Sequence, residues 1–234
     1  MPYVLGVDLV PERPVTAAVR AGHAPPEVFG TGEEPIADCL ERLGDDVPMI
    51  LGGRAYAAHD LVAELLARVV QRVSDWQGGE PEHLAISHPA PWGDYRTLLL
   101  RQAWWEPVTL VPRPVAAAVA AGRTRGTVGI LSPECFAVVR DGELLAWHEP
   151  SGFADLDRDS ARRLALARDL DEVIDDGEGQ PAAGAALVAT QGLAPQPVHY
   201  PAGWERADRP PRPPVTITSL NLPRPKRTLQ LGRH

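Results

Sequence analysis

Two histidines, His83 and His88, flank a short apolar run, and neutral imidazoles are common metal ligands. Their odd spacing on a strand sends them to opposite faces, so the structural reading is preferred to a metal pair. The two cysteines, Cys39 and Cys135, form neither a CxxC nor a Cys/His cluster. That argues against zinc and leaves buried thiols as the reading. Ser87 and Ser132 lack the G-x-S-x-G setting of a hydrolase nucleophile. Trp92, Trp104 and Trp105 offer a candidate binding patch, with packing as the preferred role. The end of the chain carries RPPRPP (209–214) and LPRPKR (222–227). Such runs favour extended polyproline conformations, and PxxP with arginine is also a ligand pattern for aromatic-lined grooves. Between them VTITSLNL (215–222) alternates like a strand that could add to a sheet edge.

The bulk composition narrows the function classes. A formal charge of −8 over 234 residues disfavours broad nucleic-acid binding, because phosphate would meet a net-negative surface. No apolar run reaches about 18 residues, and the N-terminus MPYVLGVDLV has neither a basic n-region nor a cleavage site. A cytoplasmic protein is expected. Lys226 is the only lysine, so arginine supplies nearly all positive charge. With the abundance of alanine, valine, glycine and proline, this codon bias points to a GC-rich bacterial genome. The 25 prolines crowd toward the C-terminus, so a uniform fold over the whole length is not expected.

The elements that must position these residues read as follows. Residues 3–9 and 15–20 are strands joined by the turn PERP, with a third short strand at 27–30. Residues 35–43 have helical spacing through Ile36, Leu40 and Leu43, and 49–51 is a short apolar run ending in Gly52-Gly53. The clearest helix is 60–76, whose stripe is Leu61, Val62, Leu65, Leu66, Val69, Val70 and Val73. A strand at 83–87, a helix at 93–103, a strand at 107–111 and an alanine-rich helix at 115–121 follow. Three short strands come next, at 127–131, 135–140 and 143–149, the last two joined by the hairpin signal Asp141-Gly142. Then come a charged helix at 160–169, an acidic loop at 175–179 and a small helix at 182–190. This order argues for a mixed α/β layer fold.

Four segments, in order, resemble the actin-like ATPase superfamily, and within it the DnaK-type (seventy-kilodalton heat-shock) chaperone ATPase domain. They are LGVDL (5–9) with the strand after it, LAISHPAPWGDYRTLLLRQA (84–103), LVPRPVAAAVAAG (110–122) and AAGAALVATQG (182–192). The resemblance implies a ribonuclease-H-like lobe with a mixed sheet flanked by helices over residues 1–125. Only roughly 60 residues separate the third and fourth segments. A second lobe largely missing, with its remnant and the closing helix in 126–192, is therefore implied. Residues 193–234 are expected to be a Pro/Arg-rich tail, largely extended or disordered.

The same resemblance makes Asp8 the first metal-holding carboxylate and Arg13 a substitute phosphate contact, if ATP and magnesium are bound at all. The nucleotide motifs are eroded. Where Gly-Thr-Thr is expected the chain has Val10, Pro11, Glu12 and Arg13. Proline removes a donor and glutamate repels phosphate. Arg113 stands where the family has glutamate, and ILSPECFAVV (130–139) replaces the second glycine-rich hairpin. Each lost contact costs on the order of 10²-fold in rate. The expectation is a non-catalytic pseudo-ATPase that binds another protein, either a full-length relative or a second copy of itself. A weak ATPase using Asp8 is the alternative. A ribonuclease-H-like nuclease ranks last, because no convincing set of further acids is evident. For Asp8 an inert hydrogen-bonded carboxylate is the competing reading, and for Arg113 a surface or ion-paired arginine.

Overall fold

Five strands form the first sheet of the computed structural model: β1 (Val4–Asp8), β2 (Thr16–Arg20), β3 (Glu27–Gly30), β6 (His83–His88) and β7 (Val108–Pro112). Their spatial order is β3-β2-β1-β6-β7, antiparallel from β3 to β1 and parallel from β1 to β7. The second sheet holds β8 (Thr127–Leu131), β9 (Phe136–Arg140), β10 (Glu143–His148) and β11 (Glu172–Asp175). Its order, β10-β9-β8-β11, repeats the first sheet without its last strand: two antiparallel pairs, then a parallel one. The fold is α/β with mixed sheets. The structure describes residues 2–11, 13–36, 38–104, 107–132, 135–148, 170–177 and 180–191. The expected helix at 160–169, the tail after 192, Trp105 and Glu12 lie outside these residues.

Alternation on the strands sorts the core. Leu5 and Val7 of β1, with Leu84 and Ile86 of β6, face α1 (Ala58–Gln77), which buries Leu61, Val62, Leu65, Leu66, Val69 and Val73 against them. Gly78 ends this helix in the left-handed conformation at φ 74°, donating its N–H to the Ser74 carbonyl. The opposite face of the sheet meets α3 (Arg113–Ala120) and α4 (Gln180–Gln191), and these helices share one cluster with Val128, Ile130 and Val139 of the second sheet. Small residues permit this. A Cβ on Gly6 would collide with the Ala182 carbonyl, and one on Gly184 with the Ala116 carbonyl, so backbone rests on backbone.

Three local departures from the sequence reading have physical reasons. Residues 38–44 form a run of turns rather than a helix. Its hydrogen bonds mix three-residue steps (Cys39 to Ile36, Asp45 to Arg42) with one four-residue step (Arg42 to Asp38). That irregular winding buries Cys39, Leu40 and Leu43 together. The short run at 49–51 is β4 (Met49–Leu51), and Gly52-Gly53, both at positive φ, turn it into β5 (Arg54–Tyr56). Finally, Asp175 closes β11 rather than opening a loop, because Val173 and Ile174 pair with Gly129 and Ile130. The helix expected at 93–103 is α2 (Asp94–Gln102), of which only Leu100 is fully buried.

Candidate functional site

Parallel strand ends gather the polar residues of the core, as expected for open α/β sheets. In the β1–β6 register Asp8 lies beside Ser87, and in the β6–β7 register Ser87 lies beside Val111. Two residues beyond Val111 the chain turns into α3, whose first residue is Arg113. Pro114 suits that position, since the first helical turn has no intrahelical use for its N–H. On the second sheet Asp175 pairs with Leu131, and the next residue, Asp176, donates its N–H to the Leu131 carbonyl at 2.8 Å.

These elements bring Asp8, Ser87, Arg113 and Asp176 together. Ser87 Oγ donates to Asp8 Oδ1 at 2.8 Å. The Arg113 Nε–H points between both Asp8 oxygens, 3.3 Å from each. Arg113 Nη1 lies 2.9 Å from Asp176 Oδ2. The side chains of Arg113, Asp8 and Asp176 are only 5%, 4% and 1% exposed, so this is a buried ion network. Of the two readings open for Arg113, the structure selects the ion-paired one. Asp176 was missed in the sequence. Its signal was the apolar pair Val173-Ile174 ahead of consecutive acids and a glycine, the mark of a strand running to a polar end.

Arg13 is exposed in the β1–β2 turn, whereas the partners described for Asp8 are Ser87 and Arg113. Val10 is buried. The β8–β9 turn is closed upon itself. Cys135 donates its N–H to Ser132 Oγ at 3.1 Å, and Ser132 donates its own N–H to the Cys135 carbonyl at 3.0 Å. These two amides are thus used within the turn. Among the described residues no group of three or more His, Cys, Asp or Glu side chains could hold a metal ion. The two strand-end carboxylates, Asp8 and Asp176, are both ion-paired with the Arg113 guanidinium.

The remaining described candidates lie as follows. His83 shares a 2.7 Å hydrogen bond with Thr109. His88 is buried, donates Nδ1–H to the Pro89 carbonyl and stacks on Trp92 at 6.1 Å between ring centroids. Burial pushes its pKa down to about 4. Trp92 and Trp104 are buried in the α1 core, so neither belongs to an exposed patch. Cys39 and Cys135 are buried in different clusters, and burial raises the Cys39 thiol pKa. No helix among the described residues is long and apolar enough to cross a membrane. No protein-family model matches the chain, and no curated protein shows significant sequence similarity to it.

Proposed function

We propose that this chain is a non-catalytic, DnaK-like pseudo-ATPase with the architecture of actin-like and ribonuclease-H-like domains, acting as a protein-binding module. The observation that carries this reading is Arg113, buried between Asp8 and Asp176. A fixed guanidinium there engages the carboxylate on which an ATPase of this type, or a nuclease, relies to hold magnesium. The repeated strand order of the two sheets supports the architectural part. The binding role draws support from α2, where Tyr95 and Leu98 stand one turn apart and are 58% and 51% exposed. Contiguous exposed apolar surface is a feature of protein contact sites, and this pair is offered as part of one. The partner class is another protein, either a full-length relative or a second copy of this chain.

Calorimetric titration of the full chain with Mg-ATP and Mg-ADP tests the central point. No heat of binding up to millimolar nucleotide is expected, and no phosphate release above a buffer blank. Saturable binding that disappears in Asp8→Asn would overturn the pseudoenzyme reading in favour of the weak ATPase. For the binding role, the double variant Tyr95→Asp/Leu98→Asp should bind less of an apolar fluorescent dye than the parent. An unchanged dye signal would remove α2 as the contact surface.

A further inference from the structure

We propose that Arg113 is an internal brace that holds the two sheets in one fixed arrangement without a ligand. Its Nε–H is hydrogen-bonded to Asp8 at the end of β1 in the first sheet, and its Nη1 lies 2.9 Å from Asp176 Oδ2 just beyond β11 in the second, a charge contact without hydrogen-bond geometry. Few other side chains in the joint can grip. The layer between the sheets is apolar: Ala116, Ala117, Ala118 and Ala185 with Val115, Val119 and Val188, and at Gly6 and Gly184 backbone meets backbone. Apolar contacts are non-directional. A guanidinium spreads its N–H groups over a rigid, branched plane, so one side chain reaches both carboxylates at once, which a single lysine ammonium does less well. Buried at both ends, this contact escapes the screening that makes surface pairs weak. It deepens the non-catalytic reading: the partner-binding surface is constitutive, and neither nucleotide nor metal sets the angle between the sheets.

Hydrogen exchange of the full chain, read by mass spectrometry, tests the brace. Asp176→Asn removes one grip, and Val73→Ala, in α1, serves as a destabilised control outside the joint. In Asp176→Asn, amides at the ends of β1 and β11 should exchange at least about tenfold faster together, although of these two strands only β11 adjoins the substitution. The Val73→Ala control should speed exchange around α1 without that paired pattern. Should Asp176→Asn fail to fold, Arg113→Lys retains the charge but not the branched plane, and should give the same pairing at smaller amplitude. Faster exchange at β11 alone, or unchanged exchange in a folded variant, overturns the proposal. The outcome is independent of nucleotide. ATP binding by the parent chain would sink the pseudoenzyme reading and leave the paired exchange standing.

Discussion

The first sheet is covered on both faces, by α1 with a large aliphatic cluster on one side and by α3 and α4 on the other. The second sheet shares the α3–α4 layer, but its outer face holds a small cluster among the described residues. There Phe136 and Val138 are buried and Leu131, Ala146, Leu170 and Val173 half-buried. Among the described residues the two sheets thus bury apolar clusters of unequal size. A shared pattern of strand directions does not by itself set how much apolar surface each face removes from water.

The largest effect should come from the joint. Gly184→Val drives a branched side chain into the Ala116 carbonyl, and a loss of about 3 kcal/mol or more is expected in urea unfolding. A loss below about 1 kcal/mol would mean that the helices can separate freely. Next, Leu65→Ala in the first sheet's core should cost about 3 kcal/mol and lower the whole transition, since Leu65 is fully buried. Phe136→Ala in the small outer cluster of the second sheet should cost about 2 kcal/mol, less than a full-core phenylalanine. If Phe136→Ala proves the more damaging of the two, the inequality between the sheets is wrong.

Acid sharpens the comparison from another side. His88, in the first sheet, has its folded pKa depressed to about 4 by burial, against about 6.5 when unfolded. Between those values the unfolded chain binds a proton that the folded chain does not. The contribution is therefore fully present above about pH 6.5, is lost as pH falls toward 4, and changes no further below that. The total is on the order of 3 kcal/mol. Unfolding free energies measured across this window in the parent and His88→Phe should show a shallower slope in the variant. Smallest of all is Arg123→Ala. This exposed pair with Glu172 at 2.7 Å should leave the melting temperature unchanged, as surface ion pairs usually do.

Much of this arrangement was legible in the residues. Short apolar runs gave β1, β2, β6 and β7, because that sheet is covered on both faces, and the valine–leucine stripe gave α1, which buries one face. The legible half of the site was Asp8, at the end of an obvious strand. Its partners were obscure for a different reason. Ser87 and Asp176 matter only through register with strands distant in sequence, and Arg113 offered the sequence a choice between surface and pairing that only its burial resolves. The turns at 38–44 were unreadable as turns, since three apolar residues at helical spacing also satisfy an irregular coil that buries them. The resemblance pointed toward a nucleotide clamp, but the serine that closes the β8–β9 turn is visible only once Ser132 and Cys135 are seen facing each other.

Gly6 and Gly184 carry one more consequence. Where a strand and two helices touch through main chain alone, the gap between layers is a constant of peptide geometry. Side chains elsewhere in a core can trade a methylene here for one lost there, and drift together over generations. At these two glycines nothing can be traded. They act as a gauge block for the stack, and variation in this molecule must accumulate around them rather than through them.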